Sequence, residues 1–238
     1  MVRTPTRPGK TRRGGIGHFF RRLILALALA VVSVYLLCCL GLLALRWTDP
    51  LTTGVQVQRR IEALLARKPY RKSYHPVPMS QISVQLQHAA VAAEDTHFYN
   101  HHGIDWQAVD TVIQEDIDEG RIVRGGSTIT QQLVKNLFLV TSRSYIRKAF
   151  EFALAPAAEL LLNKRRILEL YLNVIEWGPG VYGAEAGAQY HFHTSAARLS
   201  REQAARLAAV IPNPRHRKAA RMTRYAGVIE TRMSQMGW

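Results

Sequence analysis

The sequence of 238 residues has only two cysteines, and they are adjacent, at Cys38 and Cys39. Neighbouring cysteines cannot join distant parts of a chain, which excludes a fold held together by disulfides. The sequence also lacks the Cys-x-x-Cys and His-Glu-x-x-His patterns, which argues against an ordinary zinc site. Acidic residues are scarce, with 17 Asp and Glu against 32 Lys and Arg and a net charge of +15. Hydrophobic residues make up 47%, which favours a packed core over disorder.

Charge is absent from one long stretch near the N-terminus. Residues 1–22 carry seven basic residues and no acid, and residues 23–45 carry no charge. A helix of that length spans about 34 Å, enough for a hydrocarbon core of about 30 Å. A secretory signal has a shorter apolar stretch and a small-residue cleavage site, and no such site is obvious before Trp47. The sequence therefore predicts an uncleaved transmembrane anchor.

The basic segment predicts the orientation of this anchor. The positive-inside rule keeps residues 1–22 in the cytoplasm and places everything after Arg46 on the far face of the membrane. Residues 46–238 have 25 basic and 17 acidic residues, a net charge of about +8. This favours an anionic partner such as a phosphate-bearing lipid or the membrane surface. We expect no nucleic-acid partner, because a domain outside the membrane rarely meets DNA.

The rest of the chain divides into a proline-containing linker or membrane-proximal segment, residues 46–81, and a mainly helical domain, residues 82–238. Apolar periodicity predicts helices at 128–139, 143–163, 164–175, 184–190 and 201–211. Asp105 is expected to cap a further helix, and Ser200 with Gln203 forms a capping box. We expect no strand of useful length and no internal repeat.

Two adjacent acids, Glu94 and Asp95, follow the apolar stripe of a predicted helix. A carboxylate at the C-terminal end of a helix meets the negative end of the helix dipole, and partial burial raises its pKa further. Both effects make Glu94 a better proton acceptor near neutral pH, so it is a candidate catalytic base. The alternative is a solvated helix end in which Asp95 bonds to a turn.

The segment of residues 125–136 is the second candidate. Two glycines followed by hydroxyl residues at a helix start present free backbone N–H groups, which favours anion binding. Gln131 and Lys135 lie four residues apart, so an amide and a cation share one helix face and can hold a phosphate or a sugar. The alternative is structural, with Ser127 as a simple helix cap and Lys135 at the surface.

The third candidate is basic. Arg143, Arg147 and Glu151 follow one another at intervals of four residues, and Lys148 lies beside them. Like charges at this spacing, and Arg before Glu, add little to helix stability, so the pattern favours binding of a group such as a diphosphate. The alternative is a solvated basic face with a marginal salt bridge.

Other candidates are weaker. His101, His102, His191 and His193 have no Cys or carboxylate at ligand spacing, so we expect them at the surface or in packing roles. The basic run at 215–224 is interpreted as a solvated or membrane-facing surface. Three aromatic residues are expected in the core rather than stacked on sugars: Tyr171, Trp177 and Tyr182.

Taken in order, five segments within residues 82–214 resemble the peptidoglycan glycosyltransferases of glycosyltransferase family 51, and among them the monofunctional biosynthetic enzymes. The segments are Glu94-Asp95-x-x-Phe98-x-x-His101-x-Gly103; Gly125-Gly126-Ser127-Thr128-Ile129-Thr130-Gln131-Gln132-Leu133-Val134-Lys135-Asn136; Arg147-Lys148-x-x-Glu151; Lys164-x-x-Ile167-Leu168-Glu169-x-Tyr171-Leu172-Asn173; and Ile211-Pro212-Asn213-Pro214.

The resemblance implies a lysozyme-like helical domain that joins lipid II units into β-1,4 glycan strands and releases undecaprenyl diphosphate during bacterial cell wall synthesis. It implies Glu94 as the base on the acceptor 4-hydroxyl, with inversion at the anomeric carbon. It implies Glu151 as a second essential carboxylate, which orients the basic cluster or a metal. The residues expected to bind substrate are Ser127, Thr128, Gln131, Gln132, Lys135, Asn136, Arg143, Arg147 and Lys148.

The same resemblance carries expectations about surroundings. It implies a location in the bacterial inner membrane with the catalytic domain in the periplasm. The partners that it implies are the growing glycan strand, membrane lipid and proteins of cell division or elongation. It leaves open whether a Mg²⁺ or Mn²⁺ ion is needed. The Ser-x-x-Lys and Lys-Thr-Gly motifs of the larger bifunctional relatives are absent, so we expect no transpeptidase activity.

The sequence departs from the family pattern at two positions, and two other functions are alternatives to this one. Arg124 stands where the family often has Gln, and Pro156 is expected to kink its helix and shift Glu151. A lytic transglycosylase or muramidase expels a neutral leaving group and does not need the basic cluster. A non-catalytic scaffold does not need Glu94 and Glu151.

Overall fold

The computed structural model describes residues 15–111, 126–142 and 144–238. The first elements are α1 (Gly15–Ala44), α2 (Gly54–Leu65), β1 (Ser73–Tyr74) and α3 (Val84–Glu94), after which residues 106–111 are also helical. Next come α4 (Ile129–Phe138), α5 (Tyr145–Leu161), α6 (Lys164–Val174), β2 (Glu176–Gly178) and β3 (Val181–Tyr182). The chain continues with α7 (Ala184–Phe192), α8 (Arg201–Ala208) and α9 (Thr223–Gln235). The prediction of a mainly α fold is confirmed.

Helix α1 is long and apolar enough to cross a membrane, with a mean hydropathy of 2.9 over its most apolar window. This apolar part of α1 is exposed, whereas the core helix of a soluble protein would be buried, so α1 fits a single-pass membrane anchor. It extends beyond the predicted 23–45 at its N-terminal end. At its other end Leu42 is buried and the Tyr35 hydroxyl donates to the Ala153 carbonyl at 3.3 Å, so the anchor packs against α5. Residues 1–14 of the predicted tail lie outside the described residues.

The segment predicted as a linker contains a helix. Prolines 50 and 69 flank α2 rather than interrupt it, and the Thr53 side chain caps its first turn. Gly54 lies so close to the end of α4 that an added Cβ would come within 2.6 Å of the Leu139 carbonyl oxygen. The segment is therefore docked on the domain along part of its length.

A small three-stranded sheet, ordered β1-β3-β2, was not expected from the sequence. Strand β1 pairs in parallel with β3, with Ser73 opposite Val181, and β2 pairs antiparallel with β3. Strands of two or three residues are too short to show alternating hydrophobicity, so periodicity could not reveal them.

Helix boundaries follow local chemistry. The capping box of Ser200 and Gln203 is confirmed at the start of α8, but α8 ends at Ala208, three residues before the predicted end. Pro212 disfavours a helical conformation at Ile211, which explains the earlier stop. Asp105 accepts the Ala108 N–H at 3.0 Å, as its predicted capping role requires. Helix α5 continues through Pro156.

The helices form two groups that meet at a seam. Helix α3 packs against α8 and α9, whereas α4 packs against α2, α5 and α6. The largest fully buried side chains include Trp177, Tyr171, Tyr182 and Phe98. The C-terminal end of α3 faces α4 across the seam, where the side chains of Glu94 and Gln132 meet.

Candidate active site

Glu94 is the last residue of α3 and is half-buried. Its Oε2 accepts a hydrogen bond from Gln132 Nε2 at 2.8 Å, and Gln132 Oε1 accepts one from the Tyr171 hydroxyl at 3.0 Å. Burial raises the pKa of Glu94, and the Gln132 hydrogen bond and the charge of Lys135 only partly oppose this rise. Burial thus makes Glu94 a stronger proton acceptor than a solvated glutamate, and its role as the base stays a prediction.

A cavity of about 160 Å³ lies beside this carboxylate. Its lining joins the end of α3 to the start of α4 and includes Glu94, Asp95, Ser127, Thr128 and Arg232. The two sequence segments that carry the first two candidates therefore form one concave surface.

Asp95 does not lie at a solvated helix end. It is buried, and it accepts the Ile129 N–H of α4 at 2.9 Å while both its oxygens lie 3.0 Å from His101 Nε2. His101 Nδ1 accepts the Gly103 N–H at 3.1 Å, which assigns the Nε2 proton to the bond with Asp95. A carboxylate at the N-terminus of α4 is also favoured by the helix dipole. Asp95 therefore attaches the His101 loop to α4.

Gly103 is required in this loop. Its φ of +92° lies in the left-handed region, and an added Cβ would lie 2.8 Å from the Ala155 carbonyl oxygen. The Gly103 carbonyl accepts the Thr128 hydroxyl at 2.6 Å, which is a second link between the loop and α4.

Helix α4 uses several predicted substrate-binding residues in its own construction. Thr128, not Ser127, is the N-cap, and it forms a capping box with Gln131. Both residues are buried, and Gln131 Nε2 finds no hydrogen-bond partner among the described residues. Asn136 is also buried and donates to the Gln132 carbonyl at 2.7 Å. Direct contact of Thr128, Gln131 and Asn136 with a substrate stays a prediction.

Glu151 occupies the centre of a basic cluster on α5. Its side chain is only 4% exposed, and its oxygens pair with Arg147 and, at 3.3 Å, with Lys148. Lys148 Nζ also donates to Ser127 Oγ at 2.9 Å, which connects α5 to the start of α4. Arg143, the fourth predicted member of this face, lies outside the described residues.

The cations of the cluster repel one another. Burial, followed by the charges of Arg147 and Lys135, lowers the pKa of Lys148 from 10.5 to about 8. Burial and the charge of Arg147 also lower the pKa of Lys135, and Glu94 opposes that shift. Three neighbouring cations, Lys135, Arg147 and Lys148, outnumber the carboxylates of Glu151 and Glu94, and the surplus positive charge is suited to an anionic group.

Comparison with known proteins places this arrangement in a family. The family model described as Transglycosylase matches residues 60–236. The chain belongs to the transglycosylase family. Like other members of this family, it has a lysozyme-like helical fold and is a peptidoglycan glycosyltransferase.

Relatives from several bacteria carry the name biosynthetic peptidoglycan transglycosylase. The protein of Herminiimonas arsenicoxydans is 48% identical over 172 residues, 72% of this chain and 74% of the relative. That of Dechloromonas aromatica is 42% identical over 223 residues, covering 92% and 96% of the two chains. That of Bordetella pertussis is 46% identical over 213 residues, covering 86% and 88%.

Sequence reasoning missed two arginines of this transglycosylase. The charge of Arg217 opposes the rise in the pKa of Glu94, although its segment was interpreted as outer surface. Arg232 of α9 lines the cavity and donates to the Ala92 carbonyl at 3.4 Å. Both lie more than 120 positions from Glu94, and no local spacing links them to it.

Proposed function

We propose that the chain is a peptidoglycan glycosyltransferase that polymerises lipid II into β-1,4 glycan strands and releases undecaprenyl diphosphate, without transpeptidase activity. The observation that carries the proposal is the placement of Glu94, with its raised pKa, beside a cavity and near a surplus of cations. The family and the names of the relatives support the same reaction.

In the proposed mechanism Glu94 removes the proton from the 4-hydroxyl of the acceptor sugar. The oxygen then attacks the anomeric carbon of the donor and inverts its configuration. Gln132 donates to Glu94 Oε2, which orients the carboxylate and leaves Oε1 to take the proton. A half-buried carboxylate with a raised pKa is a stronger base than a solvated one, so the site favours this transfer.

The departing diphosphate develops negative charge, which requires fixed positive charge more than a general acid. Lys135, Arg147 and Lys148 supply that charge, and Arg143 is proposed to join them. Glu151 orients Arg147 and Lys148 through its two oxygens. The remaining proposed substrate contacts are Ser127, Thr128, Gln131, Gln132 and Asn136.

The residues of the described site do not fit a metal held by the protein. No group of three or more His, Cys, Asp or Glu side chains converges within residues 15–111, 126–142 and 144–238. Both oxygens of Glu151 contact cations, and those of Asp95 contact His101 and a backbone N–H. We therefore assign Glu151 to orienting the basic cluster and derive no step through Mg²⁺ or Mn²⁺.

The proposed location is the bacterial inner membrane, with α1 as the anchor, the N-terminus in the cytoplasm and the catalytic domain in the periplasm. Lipid II and the growing strand both carry a lipid, so a tethered enzyme searches for them in two dimensions. Proteins of cell elongation or division are proposed as further partners.

The test is incubation of the purified full chain in detergent with lipid II and Mg²⁺, followed by digestion of half of the product with lysozyme. We expect a polymer that lysozyme degrades, and none from the Glu94→Gln variant. In a parallel incubation with preformed glycan, shortening of that glycan, with no new polymer from lipid II, would assign the chain to the lytic class. Binding of lipid II with neither reaction would indicate a scaffold.

A further inference from the structure

The hydroxyl of Tyr171 is an unusual feature of the core beneath the site. Tyr171 lies on α6 with 0% exposure, and its hydroxyl makes a hydrogen bond to Gln132 Oε1 at 3.0 Å. A tyrosine hydroxyl that is buried without a partner is costly, so this contact constrains Gln132 as much as it satisfies Tyr171.

The side-chain amide of Gln132 has two unlike ends. Its oxygen only accepts and its nitrogen only donates, so the Tyr171 proton on Oε1 directs Nε2 toward Glu94. In the reversed orientation the amide oxygen would face the carboxylate of Glu94, which is repulsive while that carboxylate is ionised. The ionised carboxylate, which only accepts, and the phenol proton, which needs an acceptor, therefore favour the same orientation of the amide, the one that stabilises charged Glu94.

We propose that Tyr171 is a positioning residue of the reaction, which fixes the Gln132 amide so that its nitrogen holds the Glu94 carboxylate in the ionised, proton-accepting state. Tyr171 touches no substrate and acts only through Gln132. The inference rests on the proposed function in one respect, the role of Glu94 as the base.

The first test is Tyr171→Phe in the full chain, assayed with lipid II across pH. We expect kcat on the acid limb to fall about threefold, because a half-unit rise in the pKa of Glu94 leaves about a third as many molecules with the base ionised. The acid limb of the kcat profile should move to higher pH by about half a unit or more, because protonated Glu94 is then relatively favoured. The KM for lipid II should change less than twofold.

Tyr182→Phe is the matched control. Tyr182 is also completely buried, and its hydroxyl contacts the Tyr70 hydroxyl at 3.2 Å, a contact that does not involve Glu94 or Gln132. A merely structural role for Tyr171 predicts that both variants lose thermal stability and keep the same acid limb. An unshifted limb in Tyr171→Phe would overturn the proposal.

A double variant tests whether Tyr171 acts through Gln132. In a Gln132→Ala background, Tyr171→Phe should cause no further shift of the acid limb, because the intermediary is already absent. Equal shifts in both backgrounds would contradict the inference. If Tyr171→Phe does not fold, 3-fluorotyrosine at position 171 keeps the hydroxyl as a stronger donor and should move the limb to lower pH; an unmoved limb would overturn the inference.

The two assignments fail in different ways. Near-normal turnover by Glu94→Gln would refute both the role of Glu94 as the base and the positioning role of Tyr171. If Glu94→Gln is inactive but the pH profile of Tyr171→Phe matches that of Tyr182→Phe, only the positioning role of Tyr171 is refuted.

Discussion

The site holds two glutamates in opposite surroundings. Glu94 ends a helix, borders a cavity and, among the described residues, accepts one side-chain hydrogen bond, from the neutral amide of Gln132. Glu151 lies inside α5, is almost completely buried and pairs with Arg147 and Lys148. A carboxylate with a raised pKa beside a cavity can take a proton, whereas one that contacts two cations is suited to holding them in place. The same residue type is thus suited to chemistry in one place and to organisation in the other.

The comparison extends to stability. Loss of charge at Glu94 removes a group whose burial is unfavourable when it is ionised. Loss of charge at Glu151 leaves Arg147 and Lys148 without their counter-charge beside Lys135. Substitutions that remove each charge should therefore separate activity from stability.

The largest effect is expected for Glu94→Gln. Polymerisation should fall by about three orders of magnitude or more, in the range of a lost general base, while binding of lipid II and thermal stability stay near normal. The rate is measured with fluorescent lipid II, and binding by titration in detergent. Glu230→Gln on α9 serves as the control. Turnover near that of the unmodified enzyme would refute the role of Glu94 as the base.

Glu151→Gln should lower both activity and stability. We expect a loss of about 2 kcal/mol in the free energy of unfolding, below the usual cost of breaking a buried ion pair because both cations keep partial exposure. Urea denaturation measures it. The control is Glu202→Gln, which breaks the surface pair with Arg206 and should cost no more than about 0.5 kcal/mol. Equal costs would show that Glu151 does not organise the cluster.

Lys135→Ala tests the cation whose charge acts on Glu94. Its charge lowers the pKa of both Glu94 and Lys148, which places it in the proposed site. Its loss should reduce the rate at limiting lipid II more than about tenfold, the effect of one lost charge-assisted contact with the donor. Lys68→Ala, an exposed lysine after α2, is the control. If the two variants polymerise limiting lipid II equally fast, Lys135 does not contact the donor.

The parts of the fold that the sequence predicted are those with a local signal. The apolar stripe of α3 and the capping box of α8 depend on residues three or four positions apart, and both are found. Helix α2 was missed because its segment was interpreted as a linker on account of its prolines. The small sheet was missed because its strands are too short to show a periodic pattern. The cap of α4 was predicted at Ser127 and lies at Thr128, because both residues are good caps and the packing of Thr128 onto Gly103 decides between them.

The same distinction holds for the site. Motif spacing selected Glu94, Lys135 and Glu151, and the structure brings Glu94 and Lys135 into electrostatic contact. Spacing could not reveal the Tyr171 hydroxyl on Gln132, or the charge of Arg217 near Glu94, because tertiary packing alone makes these contacts.

The smallest predicted effect is on the alkaline side of the pH profile. Because the pKa of Lys148 is lowered to about 8, this lysine is charged below that pH and loses its charge as the pH rises through it. Polymerisation should therefore decline gradually above about pH 8. Lys148→Arg keeps the charge to a much higher pH and should move this decline upward.

The acid and alkaline limbs of the pH–rate profile then distinguish the surroundings of Glu94 from the basic cluster around Glu151. Tyr171→Phe should move the acid limb, which reports Glu94, and leave the alkaline limb in place, whereas Lys148→Arg should do the reverse. Rates measured from pH 5 to pH 10 for both variants test this separation. An alkaline limb that Lys148→Arg does not move would assign the decline to another group and would leave Lys148 as a partner of Glu151 and Ser127 only.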